Sequence, residues 1–285
     1  MSANPQISRV RQHSLPVRIV QYVLLTFAGL VFLLPLYWLF SSALKPTSEI
    51  YTYPLQLIPT SLFWENFTYA WTVAPFDKYM VNSLIVTAVG ATCKIVIACL
   101  TSYAFTFLRF PGRNILFLVM LTALMVPGNV TIIVNYLTVA NLGWLNTYAG
   151  LIIPGAGSVF GTFLLRQHMM TLPGEVMDAA DVDGAGHIRR LWQIVLPMSI
   201  PSVVTVGLIA VVDEWNGFIW PLLVTNTDSM RTLPIGLSFL KAEDGLANWG
   251  AVMAGTVLVL LPMLILFLLA QRLIVGGLTQ GAVKG

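Results

Sequence analysis

The chain has 285 residues, of which 57% are hydrophobic and only 9% are charged, and its mean hydropathy is +0.81. A soluble domain is nearer half apolar and a quarter charged, so this composition excludes an ordinary soluble protein. The net charge of +3 is modest and gives no reason to expect a nucleic-acid partner. The composition instead indicates an all-α integral membrane protein in contact with the lipid bilayer.

Six apolar segments are candidates for helices that cross the bilayer, which takes about 20 residues each. Their approximate limits are 19–44, 81–108, 115–139, 148–165, 199–224 and 251–274. The fourth contains Pro154, Gly155 and Gly157, which a span tolerates where protein or a cavity satisfies the freed backbone groups. The first is too long for a cleavable signal. The sequence therefore predicts an N-terminal segment 1–18, a six-span domain 19–275 and a tail 276–285.

The basic residues lie mostly on one side of these spans. Ten of them precede the first span, lie at the end of the last span or after it, or lie between spans two and three and between spans four and five. Four lie in the opposite loops, and Lys94 lies inside span two. The positive-inside rule therefore predicts that both termini are cytoplasmic.

The two loops predicted on the opposite side, about 45–80 and 225–250, are rich in aromatic residues. Two interpretations fit these residues equally well: interfacial anchoring with loop packing, or a docking surface for a soluble partner. The aromatic residues are Tyr51, Tyr53, Trp64, Tyr69, Trp71, Phe76 and Trp249.

A polar loop, DAADVDGAGHIRRLWQIVLP (178–197), separates the fourth and fifth spans. Pro173 suits a helix start, and Glu175 and Asp178 follow in the first turns, where the positive end of the helix dipole favours acids. Gly184 and Gly186 then break this helix and permit a sharp reversal.

The second part of the loop predicts another short helix with one apolar face. Four residues recur at the spacing i, i+3, i+4 and i+7, namely Ile188, Leu191, Trp192 and Val195. Leu196-Pro197 is predicted to end this helix, and the two short helices are predicted to meet at about a right angle. An ordinary interfacial connector is the simpler interpretation from these residues alone; a docking element for a partner is the other.

The spacing of this loop is specific: Asp178-Ala179-Ala180-x3-Gly184-x9-Ile194-x-Leu196-Pro197. It resembles the EAA loop of ABC importer permeases, and the coupling loop that this resemblance implies spans about residues 173–197. Other stretches are similar to the smaller, six-span permease of maltose-type carbohydrate-uptake systems, such as FGTFLLRQHMMTLPGEVMDAADVDGAG, LGWLNTYAGLIIP, EWNGFIWPL and QRLIVGGLTQGAVKG. The resemblance runs from about residue 19 to the end.

The resemblance implies a multi-pass permease of the bacterial inner membrane, paired with a sister permease as a heterodimer. Two copies of a cytoplasmic ABC ATPase would dock beneath the pair, and an extracytoplasmic solute-binding protein would deliver the solute. ATP and Mg²⁺ would belong to the ATPase, so this chain is expected to bind no cofactor or metal and to have no catalytic residue.

In this family the EAA loop inserts into a cleft on the ATPase, and the tail also reaches the ATPase. The resemblance therefore assigns coupling to Glu175, Asp178, Ala179, Ala180, Asp183, Gly184, Ala185, Ile194, Leu196 and Pro197, and a tail contact to Gly281, Val283 and Lys284. Asp178 stands where the family usually has glutamate, so the same ion pair needs a closer approach. Glu175, three residues earlier, lies on the same helix face and is a candidate to share the task.

Charged residues inside spans are costly and point to a function. We predict that Lys94, Asp213, Glu214 and Asn216 line the translocation pathway, with an ion pair from Lys94 to Asp213 or Glu214. The alternative is that these side chains snorkel to water. Trp215 and Trp220 suit an interfacial belt or a sugar-binding surface.

Several other functions lack their motifs. Gly276 and Gly281 have the spacing of a phosphate loop, but Lys and Ser/Thr do not follow. Cys93 and Cys99 do not share a helix face, which argues against a disulfide or metal pair. The resemblance favours a sugar or oligosaccharide as solute. The alternatives are sn-glycerol-3-phosphate or its diesters in the same machine and, more distantly, an ion-coupled secondary transporter.

Overall fold

A computed structural model of the chain describes residues 15–240 and 248–280, and its regular elements in these ranges are all helical. The predicted all-α membrane fold is therefore confirmed. The three tail residues predicted to contact the ATPase, Gly281, Val283 and Lys284, lie outside the described residues. The predicted division into 1–18, 19–275 and 276–285 stays a prediction.

Fifteen helices follow one another along the described residues. They are α1 (Leu15–Ala43), α2 (Thr47–Ile50), α3 (Glu65–Val73), α4 (Phe76–Phe107), α5 (Arg113–Thr122), α6 (Ile132–Asn141), α7 (Tyr148–Ile152), α8 (Val159–Met169), α9 (Gly174–Val182), α10 (His187–Arg190), α11 (Leu196–Met198), α12 (Ile200–Trp215), α13 (Ile219–Val224), α14 (Leu233–Phe239) and α15 (Trp249–Gln280). Short 3₁₀ turns occupy Ala123–Met125, Gly128–Val130 and Ile153–Gly155, and a π-helical turn occupies Leu191–Val195.

Three helices, α1, α4 and α15, are individually long and apolar enough to cross a membrane. Two bent pairs pass the same test together: Tyr148–Gly155 with α8, bent by 46°, and His187–Met198 with α12, bent by 85°. The predicted third span is divided instead into two shorter apolar helices, Arg113–Met125 and α6. Pro127 lies in the gap, where its missing amide hydrogen prevents a continuous helix. The number of six spans stays a prediction.

The helix α4 lies at the centre of the bundle and packs against α8 and α12. Small residues allow this close packing, as is common between membrane helices. A Cβ atom on Gly161 would lie only 2.9 Å from Val206 Cγ1 and 3.3 Å from Ala98 Cβ. Glycine at position 161 therefore sets the distance between α8, α4 and α12.

The first helix has a different environment. It lies beside α15, and its buried residues are confined to its end, Ser41–Ala43. Leu36, Trp38 and Leu39 are half-buried, and the other apolar residues of α1 before Ser41 are exposed in this single chain. Lipid or a second membrane subunit is the environment in which such a surface is stable.

A buried cation fixes the loop that follows α1. Lys45 is fully buried, and its ammonium group donates to the carbonyl oxygens of Gln56 at 2.5 Å and Leu57 at 3.1 Å. It also lies 4.6 Å from the ring centroid of Trp38. Burial lowers the pKa of Lys45, as expected for a cation removed from water. The amide of Asn66 donates to the carbonyls of Ala43 and Lys45, which closes the loop.

The aromatic residues of the two predicted outer loops divide into two groups. Phe76 is fully buried in the apolar cluster that joins α3, α4, α14 and α15, so it serves packing. The other six are exposed to different degrees, namely Tyr51, Tyr53, Trp64, Tyr69, Trp71 and Trp249. For these six, interfacial anchoring and partner docking both stay open.

The side chain of Asn82 joins α4 to two other parts of the chain. Its amide donates to the carbonyl oxygens of Ser229 and Arg231, each at 2.9 Å, and accepts from the Tyr148 hydroxyl at 2.7 Å. Because Asn82 is 4% exposed, water cannot replace these bonds freely.

We predict that Asn82→Ala lowers the free energy of unfolding by about 3 kcal/mol, since three hydrogen bonds of a buried side chain are lost. The matched variant Tyr148→Phe removes one of the three bonds and should cost about 1 kcal/mol. Thermal unfolding of the purified chain in detergent micelles measures both changes. Equal losses in the two variants would contradict the assignment.

Candidate functional site

The polar loop folds as an elbow, by which we mean residues 173–199. Its first helix, α9, begins after Pro173, which is extended with φ −60° and ψ 128°. The helix ends at Val182, and Gly184, two residues later, has a φ of +65° in the left-handed region. Ala185 N donates to Ala180 O at 2.9 Å and Gly184 N donates to Asp181 O at 3.1 Å. This pair of bonds is a Schellman motif, for which glycine is preferred at the left-handed position.

The predicted coupling residues of the first helix fall into two groups. Ala180 and Ala185 are buried against the bundle, at 3% and 4% exposure. The exposed group faces away from the bundle and consists of Glu175, Asp178, Ala179, Asp183 and Gly184. Within the described residues, Glu175, Asp178 and Asp183 form no ion pair. The exposed face therefore presents three carboxylates together with the small residues Ala179 and Gly184.

A side chain that the sequence analysis did not single out ties the elbow together. Arg190 pairs with Asp181 of α9, and its Nε atom donates to the carbonyl oxygen of Ala185 at 2.5 Å. The Tyr103 hydroxyl of α4 also lies 3.2 Å from His187 Nδ1. Arg190 and Asp181 are nine residues apart, and Tyr103 and His187 are 84 residues apart, so neither of these two pairs has a short-range sequence signal. Only the fold brings them together.

The second helix of the elbow differs from its prediction in two respects. Leu191 and Val195 are buried as expected, but Ile188 and Trp192 are 78% and 57% exposed. The predicted four-residue packing face is therefore confirmed for Leu191 and Val195 and wrong for Ile188 and Trp192. The π-helical turn at Leu191–Val195 explains the difference, because it departs from the 3.6-residue period on which the face was built.

Pro197 does not end the second helix, which continues to Met198. An α-helical proline would clash with the carbonyl four residues earlier. Here the wider π turn precedes it. A sharp bend of 85° falls at Ser199, where the elbow meets α12. The right angle predicted between the two short helices stays a prediction. Ile194 and Leu196 are half-buried, and Pro197 is exposed.

The face of the elbow that packs on the bundle, which we call its underside, belongs to one apolar cluster with residues of α4, α8 and α12. Leu191 and Val195 pack with residues of α4, α8 and α12, and Met177 of α9 packs against the cluster from the side. The buried members from the three helices are Ala98, Cys99, Tyr103, Leu165, Met169 and Val206. A displacement of the elbow therefore acts directly on α4, α8 and α12, since packed interiors transmit strain.

A second polar constellation lies deeper in the bundle, between α4 and α12. Lys94 Nζ lies 2.8 Å from Glu214 Oε1, and the two side chains are only 15% and 12% exposed. A Cβ atom on Gly90 would lie 2.8 Å from the Glu214 Cδ atom, so glycine leaves room for this carboxylate. The ion pair expected from the sequence is present, with Glu214 rather than Asp213 as the partner.

Two cavities lie next to this ion pair, with volumes of about 300 and 270 Å³. Both are lined by Lys94 and Asp213. The larger cavity also reaches the breaks in the apolar helices at Gly128 and Pro154. We call the two cavities together the crevice.

Other predicted and unpredicted polar residues lie at the crevice or near it. Asn135 of α6 lines the larger cavity, although the sequence analysis did not select it. Asn216 is exposed at the end of α12 and, among the described residues, is outside the lining of both cavities. The structure thus brings Lys94, Asp213 and Glu214 together and leaves Asn216 beside them.

The two tryptophans predicted at this position differ in environment: Trp215 is buried, whereas Trp220 lines the larger cavity. Trp215 is 3% exposed, and its indole nitrogen donates to Val259 O of α15 at 3.1 Å. Trp220 is half-buried and donates to Gly150 O of α7 at 3.1 Å. The expected interfacial or sugar-stacking role is therefore wrong for Trp215, which joins two helices. Cys93 and Cys99 are both free thiols.

Comparison with known proteins identifies similar chains. The family described as "Binding-protein-dependent transport system inner membrane component" matches residues 94–279. The sn-glycerol-3-phosphate transport system permease protein UgpE of Yersinia enterocolitica is 36% identical over 266 residues, covering 91% of this chain and 95% of the relative. The protein of the same name from Pectobacterium atrosepticum is 35% identical, covering 92% and 96%.

A solved structure has the same fold. It is a crystal structure of a bacterial ABC transporter involved in the import of the acidic polysaccharide alginate, with a TM-score of 0.79. The match covers 90% of this chain and 95% of that chain, at 20% sequence identity.

The glycine pair of the elbow provides a matched test of its turn. Gly184→Ala should cost about 1–2 kcal/mol, since a Cβ atom disfavours the left-handed conformation even where it meets no neighbour. Gly186→Ala should change little, because φ of Gly186 is −70° and a Cβ atom there also meets nothing within 4 Å. Hydrogen exchange of 173–197 measures both, and faster exchange in Gly186→Ala alone would refute the motif.

The ion pair of the crevice predicts a strongly non-additive double mutant. Lys94→Met leaves the Glu214 carboxylate buried without its partner and should cost on the order of 3 kcal/mol. Adding Glu214→Met removes the stranded charge, so the double variant should be more stable than Lys94→Met alone. Thermal unfolding in lipid nanodiscs is the measurement, and additive losses would show that the pair is not coupled.

Proposed function

Because the chain belongs to the family of binding-protein-dependent transport system inner membrane components and is the permease subunit of an ABC importer, we propose that its elbow couples an ATPase to the bundle. In this proposal α9 enters a cleft on a cytoplasmic ABC ATPase. The exposed carboxylates of Glu175 and Asp178 face basic residues of the cleft, and the small Ala179 permits close approach. The observation that carries the proposal is the two-sided elbow, with acids outward and an underside packed into the bundle.

The coupling step follows from the packing of the elbow. ATP binding closes the two ATPases, and the elbow moves with its cleft. Arg190 holds the turn to α9 through Asp181 and Ala185, so the elbow moves as one body. The shared cluster then carries α4, α8 and α12 with it. The breaks at Pro127 and Pro154 are positions where the bundle can rearrange without breaking a regular helix.

The assembly that this step requires has further members. We propose a heterodimer with a sister permease, one ATPase beneath each permease, and an extracytoplasmic binding protein above them. The family name supports the binding protein in general terms. The ATPases bind ATP together with Mg²⁺ and hydrolyse the ATP, while this chain supplies no catalytic group, cofactor site or metal site. The tail residues Gly281, Val283 and Lys284 are proposed to add a contact with the ATPases.

The chain is a multi-pass inner-membrane protein, and we propose that both termini and the elbow are cytoplasmic. The excess of basic residues on the elbow side supports this orientation. This orientation requires an even number of spans. The three long helices, the two bent pairs and the divided segment 113–141 together supply that number. The loops at 44–75 and 225–232 then face the binding protein.

The proposed solute is a sugar or oligosaccharide, because the chain resembles the carbohydrate-uptake permeases over most of its length. Lys94, Asp213 and Glu214 would line its path, with Asn216 beside them. The second candidate is sn-glycerol-3-phosphate or one of its diesters, favoured by the solute for which the relatives are named. Family membership leaves no support for the ion-coupled secondary transporter, and the relatives are permeases rather than enzymes.

Docking of the elbow is tested by a disulfide between the elbow and the ATPase. Ala179→Cys, in a background with Cys93 and Cys99 replaced by alanine, should cross-link to a cysteine in the ATPase cleft of the purified importer. Leu118→Cys on the exposed apolar surface of α5 is the control and should not cross-link. Absence of cross-linking at position 179 in every nucleotide state would overturn the proposal.

The roles of the two elbow acids separate in uptake assays. Asp178→Ala should lower ATP-driven uptake by about tenfold or more, since a charge pair across the interface is lost. Asp178→Glu should keep most of the activity. Glu175→Ala should give a smaller loss if Glu175 shares the task, and unchanged uptake and ATPase stimulation in Glu175→Ala would end that part of the idea.

A further inference from the structure

The crevice contains two adjacent carboxylates in unlike environments. Glu214 is held by Lys94 at 2.8 Å and lies against the bare backbone at Gly90. Its Oε1 atom is engaged by the ammonium group, and its charge is balanced. Asp213 is exposed and lines both cavities, and within the described residues it has no ion pair or side-chain hydrogen bond. One carboxylate is structural, and the other is available.

We propose that Asp213 is a solute-binding residue that accepts hydrogen bonds from hydroxyl groups and excludes anionic solutes from this half of the pathway. The inference rests on the proposed function and specifies the solute as neutral or cationic. It also assigns Lys94 and Glu214 to positioning α12 rather than to the solute.

Charge supports this assignment. The charged side chains of the crevice are Lys94, Glu214 and Asp213, so the neutral ion pair leaves one net negative charge. Like charges repel each other, so a phosphate group is disfavoured beside Asp213. The Lys94 ammonium cannot bind the phosphate without leaving the Glu214 carboxylate buried and unpaired, which costs free energy.

Shape and chemistry support it as well. Carboxylates accept two hydrogen bonds in one plane, and such bonds are stronger than those of neutral acceptors. Asn135, which also lines the larger cavity, adds an amide that both donates and accepts. The cavity of about 300 Å³ has the volume of one or two sugar rings, at the lower end of ligand sites in general.

The charge of the crevice is tested without knowing the solute. Asn135→Cys, with Cys93 and Cys99 replaced by alanine, is labelled in the assembled importer by a cationic and by an anionic methanethiosulfonate reagent. The ratio of the cationic to the anionic rate should fall by about fivefold when Asp213→Asn is added, as expected for removal of one nearby charge. Asp77→Asn, an exposed carboxylate outside the crevice, is the control and should leave the ratio unchanged. An unchanged ratio in Asp213→Asn overturns the inference.

Uptake into proteoliposomes tests the solute class with the complete importer and its binding protein. The probes are radiolabelled maltose and sn-glycerol-3-phosphate, together with the solute that copurifies with the binding protein. Uptake of the neutral solute should fall by about tenfold or more in Asp213→Ala, the usual effect of losing a charged hydrogen-bond partner. Rapid uptake of sn-glycerol-3-phosphate by the wild type, or equal uptake of the neutral solute by the wild type and Asp213→Ala, refutes the inference.

The same assay separates this inference from the proposed function. If the wild-type importer shows no ATP-dependent uptake of any of these solutes, and position 179 does not cross-link to the ATPase, the importer proposal itself fails. If uptake is ATP-dependent but indifferent to Asp213, only the assignment of Asp213 fails.

Discussion

The contact on which the rest of the structure depends is the packing of the elbow's underside into the bundle. Leu191 and Val195 are almost completely removed from solvent, and they touch α4, α8 and α12 in one cluster. Without this contact, a protein bound to the exposed acids of α9 would move a loose loop and nothing else. With it, the polar surface of the elbow and the membrane helices are two faces of one packed unit.

Backbone chemistry explains why the elbow has its particular shape. A Schellman turn at Gly184 reverses the chain, and Arg190 closes the reversal by contacting both Asp181 and Ala185. The π turn and Pro197 then bring the chain to Ser199, where it bends by 85° into α12. The same logic operates deeper in the bundle, where Pro127 and Pro154 interrupt apolar helices beside a crevice. Irregular backbone within a membrane protein is stable where protein or a cavity satisfies its polar groups.

The sequence was sufficient for features that rest on composition and local spacing. The apolar segments, the first helix of the elbow and the importance of Gly184 follow from rules of this kind. A general cost of buried charge also pointed to the pairing of Lys94 with an acid of α12, although Glu214 and Asp213 could not be told apart. The structure distinguishes them because the missing side chain of Gly90 makes room beside Glu214 alone.

The sequence was insufficient wherever distant residues or a change of helical period decide the outcome. Ile188 and Trp192 were placed on the packing face because a constant 3.6-residue period was assumed, and the π turn removes that assumption. Arg190 was overlooked because its partners are in a different helix and turn. Trp215 looked like an interfacial residue beside the acids, yet its partner is the carbonyl of Val259, 44 residues away. Three-dimensional proximity of this kind has no counterpart in a local pattern.

The central claim, that the elbow and the spanning helices move as one unit under the control of the ATPase, is tested most directly by spin-label distances. One label pair, at Val182 of α9 and Ile97 of α4, reports on the unit itself, and a second pair joins Ile97 to the sister permease. On ATP binding to the assembled importer, the account predicts an unchanged distance from 182 to 97 and a changed distance to the sister permease. A changed distance from 182 to 97 with an unchanged distance to the sister permease would contradict it.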